Sequence, residues 1–165
     1  MKTLMLMRHA KSSHDDSSLT DFDRPLNERG KADAEEMGKR LVKNNIKPSI
    51  LISSPAKRTL KTAKHVASNL GIKESDILLE YDMYDASIQD LLHVIRNIDD
   101  EKRSAMLFGH NPAFTGLISY LTHTPIENLP TAGIATIALP VQTWKQVAEK
   151  CGELIWIDFP KKPSS

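Results

Sequence analysis

Short apolar runs alternate with longer amphipathic stretches along this chain. Continuous apolar runs of this length predict strands that are buried on both faces of a sheet. The predicted strands cover residues 3–7, 49–53, 104–108, 133–139 and 153–159, with a shorter one at 77–79. The sequence therefore predicts a sheet whose two faces are both largely buried.

The amphipathic stretches repeat their apolar residues with the spacing of helices. They predict helices from Gly30 to about Asn44, from Pro55 to about Leu70, from Ser87 to about Ile98 and from Pro112 to about Leu121. Ser54 is the predicted N-cap of the second helix and Gly71 its stop. The polar segment from Lys11 to Gly30 predicts a loop.

Strands that alternate with helices are typical of an α/β domain with a mainly parallel sheet. Helices on both faces of such a sheet give a three-layer α/β/α architecture. A length of 165 residues suits one domain, predicted here over residues 1–159. The polar, Pro-rich residues 160–165 predict a flexible tail.

Composition narrows the classes of partner and the compartment. The chain has 22 Lys and Arg against 21 Asp and Glu, which argues against a general binder of nucleic acid or anionic membranes. One cysteine, Cys151, allows no intramolecular disulfide. The apolar run near the N-terminus is too short for a signal peptide, and no stretch has transmembrane length. We therefore expect a cytoplasmic protein.

Charged and imidazole side chains follow three of the predicted strands. Arg8 and His9 follow the first, Arg58 follows the second after a short turn, and His110 follows the third. In open α/β sheets, ligands bind beyond the carboxyl ends of the strands. We therefore expect these four side chains to converge at one edge of the sheet.

Two guanidinium groups at one site favour a planar or multidentate anion, above all phosphate. Arg58 falls in the first turn of its helix, where the helix dipole also favours anions. A histidine at such a site is a nucleophile, a general acid or base, or a hydrogen-bond donor. To attack phosphorus, a neutral imidazole needs one free ring nitrogen while an acceptor, commonly a backbone carbonyl, holds the other.

The ordered set of segments resembles the histidine phosphatase superfamily, which has the phosphoglycerate mutase-like fold. The matching segments are Arg8-His9, then Ser53-Ser54-Pro55-x-x-Arg58-x-x-x-Thr62-Ala63, then Gly109-His110. The short length, the segment Arg24-Pro25-Leu26-x-x-x-Gly30 and the segment Gly133-Ile134-Ala135-Thr136 are most similar to the small phosphohistidine phosphatases of the SixA type.

The resemblance implies a role for each matching residue. His9 is implied as the nucleophile that becomes phosphorylated, Arg8 and Arg58 as the phosphate clamp, and His110 as a donor to the phosphate. Arg24 is implied at the rim of the pocket; the alternative is a structural loop arginine paired with Asp21 or Asp23. No cofactor is implied. No metal is implied either, since the remaining histidines lack ligand spacing: His14, His65, His93 and His123.

The chain departs from the family pattern at two points. Ala10 replaces the glycine that usually follows the nucleophile, and no carboxylate sits in a clear general-acid motif. Glu80 is the first candidate for that acid, with Asp82 and Asp85 as alternatives. A phosphohistidine has a better leaving group than a phosphate ester and needs a strong acid less.

The connection from Arg58 to His110 is too short for the lid that large members insert. This predicts an open, shallow pocket, which suits a phosphorylated protein better than a small sugar phosphate. We expect a metal-independent phosphatase of protein phosphohistidine. The alternatives are a phosphatase of small phosphate esters or anhydrides and a non-catalytic phosphate-binding or phosphopeptide-binding module. Oligomeric state is left open.

Overall fold

A mixed sheet with helices on both faces makes up the fold. The structure, a computed structural model, describes residues 1–162. Over these residues the strands are β1 (Lys2–Arg8), β2 (Ile50–Ser53), β3 (Leu78–Leu79), β4 (Ser104–Gly109), β5 (Ile134–Leu139) and β6 (Glu153–Asp158). The α-helices are α1 (Glu28–Lys43), α2 (Lys57–Leu70), α3 (Ile88–Arg96) and α4 (Ala113–Leu121).

The strand order in the sheet is β3-β2-β4-β1-β5-β6. The strands β3, β2, β4 and β1 pair in parallel, whereas β5 runs antiparallel to both β1 and β6. The prediction of an α/β fold with a mainly parallel sheet is confirmed. No large lid interrupts it, since only β3 and two single-turn 3-10 helices lie between α2 and α3.

The residues of β1 point alternately into two separate cores. Leu4 and Leu6 belong to the cluster that includes residues of α3 and α4, whereas Met5 and Met7 belong to the cluster that includes residues of α1 and α2. Side chains of a strand alternate between the faces of its sheet, so each face carries its own core. This confirms the three-layer architecture, and it explains why the sequence of β1 is apolar at every inner position.

The start of α2 differs from the prediction. The helix begins at Lys57 with Ala56 as its N-cap, and Ser54 does not cap it. The amide of Ser54 donates instead to the carbonyl of Phe108 at 3.0 Å, so the chain stays attached to β4 for one residue beyond β2. The predicted stop is confirmed: Gly71 adopts a left-handed φ of 71°, which glycine tolerates without steric cost.

The chain that follows β6 is held to the domain by Arg40 of α1. Its guanidinium donates to the carbonyls of Phe159 at 2.9 Å and Pro160 at 3.0 Å. Residues 163–165 of the predicted tail lie outside the described residues, and the domain boundary at residue 159 stays a prediction. No helix within residues 1–162 is long and apolar enough to cross a membrane. The cytoplasmic location also stays a prediction.

Candidate active site

Strand register brings the predicted residues to one edge of the sheet. Arg8, the last residue of β1, pairs with Gly109, the last residue of β4. The amide of His9 then donates to the carbonyl of Gly109 at 3.1 Å, so the two strands part directly before His9 and His110. The centroids of these two imidazole rings lie 5.4 Å apart.

The His9 ring is held through one nitrogen and open at the other. Nδ1 lies 2.8 Å from the carbonyl oxygen of Ala10, an acceptor, so Nδ1 carries the ring proton and donates it. Nε2 therefore presents its lone pair, and the Nε–H group of Arg58 points at it from 3.4 Å. Burial lowers the pKa of His9 to about 4, and the charges of Arg58 and Arg8 act in the same direction. The ring is therefore neutral at neutral pH, as a nitrogen nucleophile must be.

The motif threonine fixes the backbone that holds this ring. The hydroxyl of Thr62 accepts a hydrogen bond from the amide of Ala10 at 3.0 Å and donates to the carbonyl of Arg58 at 2.8 Å. All three residues are buried. The Thr62 side chain thus links the residue after His9 to the first turn of α2, which contains Arg58.

The Arg58 guanidinium is buried and held by Asp21. Nη1 donates to the Asp21 carbonyl at 2.6 Å, and Nη2 donates to the Asp21 carboxylate at 3.1 Å. Nη2 also lies 3.4 Å from Nδ1 of His110, and Nε faces His9. Asp21 thereby fixes the guanidinium so that two of its nitrogens face the space between the imidazole rings.

Asp21 connects two further groups around the site. Its carboxylate accepts from Tyr84 Oη at 2.7 Å and from Arg24 Nη2 at 3.0 Å, besides Arg58. The hydrogen bond from Tyr84, with those from Arg24 and Arg58, holds the pKa of Asp21 well below its usual range. The Tyr84 ring packs edge-on against Phe22, with centroids 5.1 Å apart, and against His110, at 5.6 Å.

Sequence reasoning missed this network because it assigned the segment around Asp21 to a polar loop. Within that loop, Asp21–Asp23 form a short 3-10 helix. Asp21 lies 37 residues from Arg58 and 63 from Tyr84 in sequence, and no local pattern indicates contacts of that range. Only the spacing of three between Asp21 and Arg24 is a local signal.

Arg24 has the loop pairing that the sequence left as an alternative. Besides its bond to Asp21, Nη1 donates to Ser12 Oγ and contacts His14 Nε2 at 3.1 Å. The side chain is mostly buried, and its charge is near enough to contribute to the lowered pKa of His9. A direct role at the pocket rim stays a prediction.

Arg8 borders a cleft on the β5 and β6 side of the site. Nη1 donates to the carbonyl of Leu129 at 3.1 Å, while Nε is buried with no partner among the described residues. Burial lowers the pKa of Arg8, a group that stays charged in proteins at ordinary pH. The cleft has a volume of about 280 Å³, and its other polar walls include Lys11, Asn128 and Lys161.

His110 contacts two buried hydroxyl groups through Nε2. Ser54 Oγ lies at 2.8 Å and Thr59 Oγ1 at 3.4 Å. Burial is the largest cause that lowers the pKa of His110 to about 3, and the neighbouring His9 and the Arg58 guanidinium act in the same direction. Gly109, directly before His110, leaves space for the buried ring of Phe114, since a Cβ at Gly109 would lie 2.5 Å from Phe114 Cζ. His110 itself is half-buried, and its ring is neutral at neutral pH.

The three candidate acids occupy different places. The amide of Glu80 donates to the carbonyl of Ser53 at 3.0 Å, which sets Glu80 beside the β2 edge, and Asp82 is exposed. Asp85 lines a small cavity of about 60 Å³ together with His110. Neither Glu80 nor Asp82 contacts His9, Arg58 or His110 through a hydrogen bond among the described residues. The choice of a general acid stays a prediction.

The model of the histidine phosphatase superfamily (branch 1) matches residues 4–89, which include Arg8, His9 and Arg58. The chain belongs to the histidine phosphatase superfamily. His110 lies beyond the matched segment, and strand register places it opposite His9. The expected family is thus confirmed by the first half of the chain.

Relatives of this histidine phosphatase match over nearly its whole length. An uncharacterized chloroplastic protein of Arabidopsis thaliana is 30% identical, over 94% of this chain and 74% of its own. Among solved structures, the protein assigned the name phosphohistidine phosphatase SixA in Agrobacterium tumefaciens is 28% identical, with a TM-score of 0.82 over 96% of this chain and 98% of that one. The protein histidine phosphatase SixA complexed with tungstate is 20% identical, with a TM-score of 0.81 over 96% and 97% of the two chains.

These matches confirm the SixA-like, phosphoglycerate mutase-like fold. Because the paired chains cover each other almost completely, this histidine phosphatase carries no large insertion relative to the SixA structures. The family and the neighbours support a phosphatase. Which phosphorylated group it hydrolyses depends on the site.

Proposed function

We propose that this protein hydrolyses phosphohistidine in a phosphorylated protein, through a phosphohistidine intermediate on its own His9 and without a metal ion. The observation that carries the proposal is the His9 ring. Its Nδ1–H is held 2.8 Å from the Ala10 carbonyl, and its Nε2 lone pair faces the Arg58 guanidinium at 3.4 Å. A neutral, oriented imidazole beside a fixed cation is suited to attack phosphorus.

In the first step, the Nε2 lone pair of His9 attacks phosphorus as the bond from phosphorus to the substrate nitrogen breaks. The substrate imidazole leaves with the bonding pair, and a proton on its other nitrogen makes it a neutral leaving group. In the second step, water attacks the phosphoryl group on His9, the nitrogen–phosphorus bond breaks, and inorganic phosphate leaves while a proton passes to solvent. Arg8 and Arg58 stabilise the charge on the phosphoryl oxygens in both steps.

Two features support a protein as the substrate. The segment between α2 and α3 contains only β3 and short turns, so it forms no lid over the site. Within this segment Tyr81 is 71% exposed, and Leu78 and Leu79 are also exposed. Clustered exposed apolar side chains are typical of surfaces that contact other proteins. An open site with an apolar border fits a folded phosphoprotein domain.

A second candidate is hydrolysis of small phosphate esters or anhydrides. The cleft of about 280 Å³ beside Arg8 favours it, because its size approaches that of small-molecule sites. Phe159, Pro130 and Pro160 give this cleft apolar walls for a leaving group. The two candidates share His9 and differ only in what lies beyond the phosphoryl group.

The test measures phosphate release from a phosphohistidine-bearing protein domain and from a chromogenic phosphate ester, both with a chelator present. We expect wild type to hydrolyse the phosphoprotein faster, His9→Ala to be inactive, and His93→Ala, at an exposed helical histidine, to match wild type. Activity of His9→Ala would refute the nucleophile, and loss of wild-type activity with the chelator would refute metal independence. Faster hydrolysis of the ester would favour the second candidate.

Trapping of a phosphorylated enzyme separates turnover from simple binding. The protein is mixed with a substrate that carries a radioactive phosphoryl group and is quenched in alkali, where phosphohistidine survives. We expect label on wild type and none on His9→Ala. Binding of substrate with neither trapped label nor released phosphate would identify a phosphate-binding or phosphopeptide-binding module instead.

A further inference from the structure

The hydrogen bonds of His110 define which of its nitrogens carries the proton. Nδ1 lies 3.4 Å from Arg58 Nη2, and a guanidinium group can only donate. In the neutral ring, Nδ1 therefore carries the lone pair and Nε2 carries the proton. That proton points at Ser54 Oγ, 2.8 Å away. This is the tautomer that the site stabilises when no anion is bound.

This tautomer is the wrong one for the role expected of His110. A phosphoryl group held between His9 and Arg58 meets the Nδ1 side of the ring, where the lone pair would repel its oxygens. To donate to phosphate, His110 must carry a proton on Nδ1. Either the ring gains a second proton and becomes charged, or the proton is on Nδ1 instead of Nε2.

Ser54 is placed to support the second arrangement. Its side chain is fully buried, and its backbone is fixed by the bond from its amide to Phe108. Besides the contact with His110, Oγ accepts a long hydrogen bond of 3.3 Å from the amide of Ala56, and neither bond uses the hydroxyl's own proton. A hydroxyl group both donates and accepts hydrogen bonds, so Oγ can accept from a protonated Nε2 or donate to an unprotonated one.

We propose that Ser54 is a positioning residue whose hydroxyl turns from acceptor to donor when a phosphoryl group binds, so that neutral His110 presents Nδ1–H to a phosphoryl oxygen. The ring exchanges protons with solvent, and the bound anion selects the Nδ1–H tautomer, so no proton is gained or lost overall. The hydroxyl of Thr59 lies farther from Nε2, at 3.4 Å, so Ser54 at 2.8 Å makes the stronger hydrogen bond. This inference rests on the proposed function for its place in catalysis, and its binding test does not require turnover.

The charged alternative is disfavoured by the surroundings of the ring. His110 lies close to the Arg58 guanidinium, and burial together with that charge depresses its pKa to about 3. The carboxylate of Asp21 acts in the opposite direction, as a smaller effect. A bound phosphate dianion would also favour a charged ring, so the two arrangements must be separated by experiment.

Nitrogen NMR of wild-type protein labelled with ¹⁵N-histidine separates them at neutral pH. Without ligand, we expect His110 to show a protonated Nε2 and an unprotonated Nδ1. With saturating inorganic phosphate, we expect these two signals to exchange character, with Nδ1 protonated and Nε2 not. Two protonated nitrogens in the phosphate complex, or an unchanged tautomer, would overturn the proposal. This result does not depend on any enzymatic activity.

Ser54→Ala tests the hydroxyl itself, with Ser53→Ala as the matched control. Ser53 is equally buried and adjacent, but its hydroxyl donates to the Ser54 carbonyl. In Ser54→Ala, we expect the exchange of signals to disappear and phosphate to bind about tenfold more weakly, the cost of about one lost hydrogen bond. Ser54→Thr, which keeps a hydroxyl, should restore the exchange. Exchange that persists in Ser54→Ala would overturn the assignment to Ser54.

Discussion

Arg58 Nε lies 3.4 Å from His9 Nε2, although the two residues are 49 positions apart in sequence. A donor that points at the lone pair of the proposed nucleophile also marks the place where a phosphoryl oxygen would lie once phosphorus approaches His9. The same guanidinium is held from behind by Asp21. Geometry at the site is therefore set by an arginine that is fixed before substrate arrives, an arrangement that lowers the cost of reorganisation during reaction.

Arg58→Lys should lower kcat by about 10² or more while the fold is retained. Lysine keeps the charge but has one nitrogen in place of the planar fork, so it cannot reach Asp21 and both imidazole rings together. Steady-state kinetics with a chromogenic phosphate ester would measure the loss. The matched control, Arg103→Lys at an exposed arginine, should be indistinguishable from wild type. Near-normal kcat in Arg58→Lys would show that charge alone is sufficient.

Asp21→Ala should lower kcat/KM by about tenfold, mainly through kcat. The substitution removes the carboxylate that orders Arg58 and Tyr84, and thereby the positions of two groups that face His110. Asp16→Ala, at an exposed aspartate of the same loop whose side-chain bonds go to Ser18, is the control. A variant with normal kcat and tighter phosphate binding would indicate instead that Asp21 competes with phosphate for Arg58.

His9 and His110 should stay neutral from pH 8 to pH 5. Free histidine is half protonated near pH 6.5, whereas burial lowers the pKa values of His9 and His110 to about 4 and about 3. A proton NMR titration of the ring signals, assigned by comparison with His9→Gln and His110→Gln, would measure this. A half-titration point near pH 6.5 for either ring would contradict the burial argument.

The same two rings should make the folded protein less stable as the pH falls. Their folded pKa values lie below the unfolded value, so the unfolded chain binds more protons between about pH 6.5 and pH 4. The stabilisation is complete above about pH 6.5 and is lost as the pH falls toward the folded pKa values. Urea unfolding at pH 7 and pH 5 should show the decrease, and His110→Gln should reduce it. An equal decrease in that variant would assign the effect to other groups.

Gly109→Ala should destabilise the fold by about 1–3 kcal/mol through overpacking. A Cβ at this position would lie 2.5 Å from Phe114 Cζ, in the fully buried corner before His110. Gly116→Ala in α4 is the control, because its Cβ would meet only the flexible end of Ile88 at 3.1 Å, and alanine favours a helix. Urea unfolding would compare the two, and equal stability of Gly109→Ala and wild type would refute the packing argument.

Hydrophobic patterning and the order of the motifs are enough to predict the layers of the fold and the family. Continuous apolar runs such as Leu4 to Met7 identify strands buried on both faces, and this pattern depends only on local order along the chain. The motif residues also follow strand ends, so the parallel sheet brings His9, Arg58 and His110 together with little further information.

The orientation of these residues depends on long-range contacts that the sequence pattern does not indicate. Asp21 reaches Arg58 across 37 positions, and Ser54, predicted to cap a helix, instead remains on the sheet and contacts His110. Such contacts depend on side-chain direction at the ends of distant elements, which hydrophobic periodicity does not encode. A hydrogen bond is sensitive to a shift of a few tenths of an ångström, whereas the burial of a strand is not. The sequence therefore specified that His9, Arg58 and His110 meet, and the packed fold specified which other residues hold them.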